Sequence, residues 1–496
     1  MALRIIGYPN RLLTIHLVAK QIQDIKKRLK GISGNAETYG LNKQSGESSV
    51  ASLNQVILPA KENRAPMVEE ADVVGFHRDA EKLATLLVGG EARQNRSVVV
   101  FSMVEDAEIR AGGLIRLWIA EGFVQQRREE RMEDVAEDYL EELIHRSLLQ
   151  VGEKRSDGGV ETCRIHDLLR DLAISEGKQD KFLDICVEPS SHRLAIHPVA
   201  NGMYPTSSRL NLHSLLCFSS TEIDLWKSFR PFWGRIKLLR VLDLEDVSID
   251  YLPDEIGELL LLKYLGLRRT NIHSLPPSTC NLRNLQTLDL GITNFSDIPN
   301  RLWKLKQLRH LYISYSNIEA SNSNLSSRQI DNLSHLQTLE LPAGNWIMGG
   351  LDKLTDLRQF STHGKLSTVY KEALANSLPK LYSLRSLTLV NRVQELAPAF
   401  LPLVSFSQHL HLYKWYLRGQ LEKLPNLVDF PPNLIELELI NSRLRLRQQE
   451  DEDAPQAQNQ IMAMLEQLPN LRFLFLGDGS YEEKEMIFTA GGFPKL

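Results

Sequence analysis

The feature that most constrains this chain is a repeat. The template L-x-x-L-x-L falls at Leu239/Leu242/Leu244, Leu262/Leu265/Leu267, Leu285/Leu288/Leu290 and, with Ile last, Leu308/Leu311/Ile313, and the middle leucines stand 23 residues apart. A second apolar column keeps the same step at Ile249, Ile272, Phe295 and Ile318, and a third reads Leu252-Pro253, Leu275-Pro276 and Ile298-Pro299. Later copies at Leu336/Leu339/Leu341, Leu384/Leu387/Leu389, Leu434/Leu437/Leu439 and Leu471/Leu474/Leu476 keep the template while their spacing drifts. Loops are therefore inserted between coils, the largest being the polar stretch from Arg443 to Gln460. Each unit supplies one short strand whose leucines point inward, and no unit can bury them alone. Neighbours must stack into a solenoid.

Geometry then assigns a surface. Residues alternating with the inward leucines face the opposite, concave side of the strands. That side carries Val241, Asp243, Glu245, Tyr264, Gly266, Arg268, Thr287, Asp289, Gly291, His310, Tyr312, Ser314, Thr338 and Glu340, a mixed polar and aromatic set. Amphipathic aromatics are over-represented among interface anchors, so Tyr264, Arg268, Asp289, His310, Tyr312 and Glu340 are the expected partner-binding residues. The final Gly491-Gly492-Phe493-Pro494-Lys495-Leu496 reads as a lead-in to a further repeat, and an uncapped last coil would expose apolar surface.

With 496 residues, the chain has room for two or three cores. Hydrophobic residues at 43% and charged residues at 24% are ordinary for a folded soluble protein. No apolar run is long enough to span a bilayer, and Arg4, Pro9, Arg11 and His16 break up any signal-peptide core. Cys163, Cys186, Cys217 and Cys280 lack C-x-x-C pairing and density, which predicts reduced cysteines and a cytoplasmic protein. Cys163 and His166 have a spacing that two zinc ligands could use, but no second pair follows, so no metal is expected. A net charge of −4 gives no field for collecting nucleic acid. No G-x-S-x-G, H-E-x-x-H or D-F-G string occurs, and no catalysis is expected.

Ahead of the repeats, residues 103–178 read as helices followed by a hairpin and a helix. Leu114 to Phe123 gives an apolar helix ended by Gly122, and Met132 to Leu149 an amphipathic one with Val135, Tyr139 and Leu143 along one stripe. The β-prone runs 148–151 and 160–165 flank Gly158-Gly159. Together they predict a winged helix. Many such units bind DNA, but residues 103–180 hold nineteen acidic against eleven basic side chains, and Glu133, Asp134, Glu137, Asp138, Glu141 and Glu142 crowd the would-be recognition helix. Affinity for nucleic acid rests on neutralising phosphates with Lys and Arg. Protein docking, against the repeats or another receptor, is expected instead.

These residues carry a resemblance. Glu105 to Arg110, Leu114 to Phe123 and Ile165-His166-Asp167-Leu168-Leu169-Arg170-Asp171-Leu172-Ala173 closely resemble the winged helix of plant intracellular nucleotide-binding leucine-rich-repeat disease-resistance proteins, coiled-coil class. Ile165-His166-Asp167 matches the family's Met-His-Asp motif with Ile first, and the basic stretch Thr14 to Lys30 resembles the last helix of its N-terminal domain. The resemblance implies ADP or ATP as the intact family's cofactor. Yet G-x-x-x-x-G-K-[ST], whose backbone amides wrap phosphates, occurs nowhere in the chain. After a first strand resembling the family's at Ser97 to Phe101, the sequence passes into winged-helix text at Met103. His166 and Asp167 thus match a nucleotide-sensing motif without a cradle, and are expected to be structural.

The expected architecture is α/β: a leucine-rich-repeat solenoid preceded by a small helical winged-helix domain and an N-terminal helical remnant. Its segments are the coiled-coil remnant 1–30, a flexible linker 31–70, a truncated nucleotide-binding lead-in 71–102, the winged helix 103–178, a linker 179–208 and the repeats 209–496. The expected partner is a pathogen effector, a host target or another immune receptor, with no cofactor and no nucleic acid. The alternatives are a repeat-based adaptor unrelated to defence, an ADP/ATP-switched receptor if an exon is missing, and a DNA-binding regulator.

Overall fold

The computed structural model describes residues 108–127, 130–165, 170, 192–196, 211–217, 230–293, 299, 301–315, 330–391, 401–402, 404–421, 423–444, 460–481, 488–489 and 491–495. All of them fall in one unit, Gly75–Leu496. The segments expected at 1–30, 31–70 and 71–102, together with His166 and Asp167, lie outside the described residues.

The winged helix comes first. Strand β1 (Ile109–Arg110) leads into α1 (Ala111–Glu121), then α2 (Met132–His145), β2 (Leu149–Val151) and β3 (Thr162–Ile165). The three strands pair antiparallel in the order β1-β3-β2. Gly122 ends α1 at φ 88°, a left-handed conformation in which its N–H reaches the carbonyls of Trp118 and Ile119. Val135, Ala136, Leu140 and Leu143 bury the inner face of α2 against Trp118, Leu114 and Ile119 of α1. The hairpin stands where the β-prone runs placed it. The pairing of β1 with β3 was not foreseen, because two residues give no periodic signal.

Twelve strands form the second sheet, all parallel and in strict chain order. They are β4 (Arg193–Ile196), β5 (Ser214–Cys217), β6 (Val241–Asp243), β7 (Tyr264–Gly266), β8 (Thr287–Thr293), β9 (His310–Tyr315), β10 (Thr338–Pro342), β11 (Gln359–Gly364), β12 (Ser386–Asn391), β13 (Lys414–Arg418), β14 (Glu436–Ile440) and β15 (Phe473–Gly477). Leu242, Leu265, Leu288, Leu311 and Leu339 pair in register as one ladder, which continues through Phe360, Leu387, Trp415, Leu437 and Leu474. All but Leu474 are buried in one continuous core.

Among the described residues, several return segments run through short 3-10 turns such as Asp254–Glu258 and Pro277–Asn281, entered from Pro253 and Pro276. Neighbouring turns touch: a Cβ on Gly257 would stand 2.5 Å from the Ser278 carbonyl oxygen, so only glycine fits that approach. Among described residues, no helix is long and apolar enough to cross a membrane.

The structure adds coils that the template missed. In β11 and β13, Phe360 and Trp415 take the middle leucine's place, and Thr362 takes the last position in β11. The sheet also begins earlier than expected: β4 lies inside the stretch read as the linker 179–208 and pairs with β5, placing Leu194 beside Leu215. A strand of four residues with two inward side chains is too short to show a period on its own. At the other end, Leu474 and Leu476 are only partly buried, and Phe473 and Phe475 are 55% and 53% exposed.

Candidate docking face

The outward face of the sheet divides into two halves. Over β4 to β7 it is apolar: Ala195, Leu216, Val241 and Tyr264, one per strand, belong to the same buried cluster as Trp118, Leu114 and Phe123 of the winged helix. Helix α1 lies on β6 and β7. The winged helix thus shares its core with the face of the repeats, and burying this apolar area is the main favourable term.

Charge fixes the register of the docking. In each repeat, the residue just before the strand lines the sheet's edge, and this column reads Arg240, Lys263, Gln286, Arg309, Gln337, Arg358 and Arg385 from β6 to β12. Against it stands the N-terminal turn of α2. Glu133 accepts from Arg309 Nη2 at 2.5 Å and from Gln337 Nε2 at 2.8 Å, and faces His310 Nε2 at 3.2 Å. Asp134 accepts from both terminal nitrogens of Arg358, each at 2.5 Å, with Arg385 at 3.6 Å. Arg131 crosses the other way to Asp356 at 2.7 Å. Carboxylates at a helix N-terminus are also favoured by the helix dipole, so Glu133 and Asp134 complement their own helix and the arginine column together.

At the far end, Glu121 closes α1. Its side chain is fully buried and accepts from Arg193 Nε and Nη2 at 3.1 and 2.8 Å, while Arg240 Nη1 reaches its backbone carbonyl at 3.4 Å. Burial pushes this carboxyl up despite Arg193, Arg240 and Lys263. Arg116 lies 4.9 Å over the Tyr312 ring and donates to its hydroxyl at 2.9 Å.

Titration follows from this geometry. Burial pulls His310 down to about 4, its hydrogen bond to Glu133 resisting and Arg116 and Arg309 assisting. It is neutral at neutral pH. Burial raises Glu133, but bonds and charges from His310, Arg309 and Gln337 outweigh this and hold it at about 2. With His310 uncharged, the cation that balances Glu133 is Arg309.

The residues expected to bind a partner all lie on the outward face, yet most are occupied from within. Tyr264, Asp289 and His310 are buried, and Tyr312 is capped by Arg116. Arg268 stands 3.8 Å from Glu245. Glu340 and Tyr312 border an open cleft. The correction has a physical cause: an apolar and basic strip beside an acidic helix of the same chain is covered at high effective concentration. The basic column lies just outside the strands, where the inward–outward alternation carries no signal, although its spacing follows that of the leucines.

Beyond β10 the face is less buried, although the β2–β3 hairpin still reaches over it to Glu436 of β14. Lys414, Tyr416, Arg418, Glu436, Glu438 and Ile440 are half-buried, and Phe473 and Phe475 project from β15. Lys414 is held by Glu436 at 2.5 Å and Glu438 at 3.4 Å. Among described residues, no group of His, Cys, Asp and Glu could hold a metal ion.

Comparison with known proteins follows the same division. Residues 211–496 match a leucine-rich repeat region, and residues 104–173 match the winged helix domain of disease resistance proteins. Disease resistance protein RPP8 of Arabidopsis thaliana is 28% identical over 407 residues, covering 79% of this chain and 43% of that protein. RPP13-like disease resistance protein 3 of the same plant is 38% identical over 167 residues, 32% of this chain and 20% of that one. A late blight resistance protein homolog of Solanum demissum, R1B-19, is 32% identical over 178 residues, 31% of this chain and 13% of that one. The matched stretches span less than half the length of each of these relatives.

Proposed function

Because this chain belongs to the plant disease-resistance proteins that join a winged helix to leucine-rich repeats, we propose that it serves in defence as a recognition protein. Its uncovered sheet face meets a pathogen effector or a host protein that such an effector modifies. The winged helix clamps the first half of the face, its β2–β3 hairpin reaches as far as Glu436 of β14, and the less buried remainder up to β15 is left for the partner. Recognition requires no bond-breaking chemistry, so the chain works in the cytoplasm without catalysis and without a nucleotide switch of its own.

The observation that carries this reading is the pair Phe473 and Phe475, both more than half exposed on a sheet face flanked by Lys414, Tyr416 and Arg418. Exposed aromatics beside charged groups on a rigid surface make binding anchors. The test is co-expression in leaf tissue with candidate pathogen-secreted proteins, association being read by split luciferase. The double substitution Phe473→Ser and Phe475→Ser should abolish the signal while leaving the melting temperature unchanged. Association that survives it would refute this use of the face.

A second reading, the ADP/ATP-switched receptor, is favoured by the greater length of the relatives. Sequencing the transcript across Ser102-Met103 for an exon encoding a phosphate loop decides between the two.

A further inference from the structure

Between the wing and the sheet lies a cleft of about 300 Å³, at the small end of the ~300–1,000 Å³ typical of ligand pockets. It accommodates a side chain or two rather than a helix. Its roof is Arg155, Ser156 and Glu161 of the β2–β3 hairpin, its floor the outward side chains of β10 to β12, and its walls Tyr312 on one side and Tyr413 and Lys414 on the other.

The charges lining this cleft are unequally satisfied. Arg155 is held by Glu137 at 2.5 Å and Asp157 at 3.1 Å, and Lys414 by Glu436 and Glu438. Glu340, on the floor, has no such partner: among described residues no Lys or Arg forms an ion pair with it, and it accepts a hydrogen bond from Ser314. Burial raises its carboxyl, and Asp289 opposes its ionisation more strongly than Arg268 favours it. Around it stand Thr338, Ser361, Ser386 and Thr388, whose hydroxyls accept as well as donate, and the Gln359 amide.

We propose that this cleft receives an arginine side chain presented by the partner protein, with Glu340 as its counter-ion and the floor hydroxyls as further acceptors. An arginine offers five donors in a planar fork, which matches one carboxylate ringed by neutral acceptors. An anion would leave Glu340 uncompensated, and an apolar group would leave the hydroxyls without water. The cleft straddles the boundary between the covered and open halves, so a segment lying on β11 to β15 could reach into it. The inference rests on the reading that this face meets a protein partner, and it names one chemical feature of that partner.

The test is calorimetric titration of the full chain with a capped Gly-Ser-Arg-Ser-Gly peptide, its citrulline counterpart and capped arginine alone. Loss of one charge-assisted pair corresponds to ~10-fold or more in affinity. The arginine peptide should therefore bind at least that much more tightly than the citrulline peptide, and Glu340→Gln should remove the difference. Since Glu340 has no ion pair to lose, Glu340→Gln should melt no lower than the parent, so any loss of binding is local. Equal binding of the two peptides, or unchanged discrimination in Glu340→Gln, overturns the proposal. Capped arginine binding as tightly as the peptide overturns the protein-partner part and points to a small cation. None of these outcomes depends on Phe473 and Phe475, so failure here is distinguishable from failure of the recognition reading.

Discussion

The first and second halves of the sheet are built on the same ladder of inward side chains but differ on the opposite face. From β4 to β10 that face presents Ala195, Leu216, Val241 and Tyr264, then His310 and Thr338, nearly all buried under the winged helix. From β11 to β15 it presents Ser361, Thr388, Tyr416, Glu438 and Phe475, none of them buried. A shared scaffold has thus been put to two uses. One half has become an interdomain core with buried ion pairs, and the other has stayed a solvated surface. The difference shows that a repeat fixes what lies behind its strands and leaves the outward residues free to specify a neighbour.

Substitutions can break or sharpen this contrast. The largest effect is expected from Trp118→Ala, at the centre of the shared core, which should cost about 3–5 kcal/mol in urea denaturation. Hydrogen exchange should accelerate in β4 to β7 and stay slow in β12 to β14; uniform acceleration would show that the two halves are not distinct. Next comes Arg309→Ala. It leaves Glu133 buried without its cation, a change that costs about 3 kcal/mol or more, whereas Arg358→Ala faces the more exposed Asp134 and should cost only about 1 kcal/mol. Equal losses would mean that burial does not grade these pairs.

Acid should act on the covered half through His310. Its folded pKa of about 4 lies below the ordinary value, so the neutral form is favoured on folding. The stabilisation is complete above about pH 6.5 and is lost as pH falls from there toward 4, amounting to ~2 kcal/mol by pH 5. Glu133, held at about 2, loses its own contribution only below the ordinary carboxylate range. The urea midpoint should therefore drop between pH 7 and 5, and His310→Gln should flatten that slope. The smallest effect concerns Ile292, a β-branched residue at φ 56° and 41% exposed. Left-handed backbone strains such a side chain and suits asparagine, so Ile292→Asn should raise stability by roughly 0.5 kcal/mol, visible as a small rise in melting temperature.

The leucine columns, Gly122 as the end of α1 and the turn at Gly158 were all legible, because each depends on local spacing or on one residue's conformational freedom. The coils of β5, β11 and β13 depart from the leucine template, since Cys217, Phe360 with Thr362, and Trp415 stand in for leucines; inward volume, not residue identity, is what the core requires. The acidity of α2 was legible too. What it would meet was not, since Glu133 and Arg309 lie 176 residues apart and nothing local relates them.

By itself, then, the sequence determined the stacked coils, the inward ladder and the opposite signs of α2 and the edge column, because these follow from period and composition. Only the tertiary structure decided that the winged helix folds back onto the sheet, burying Tyr264 and His310 over β4 to β10 and leaving the outward side chains of β11 to β15 less buried. That choice depends on apolar area and charge meeting across long chain separations, where shape as well as pattern selects the partner.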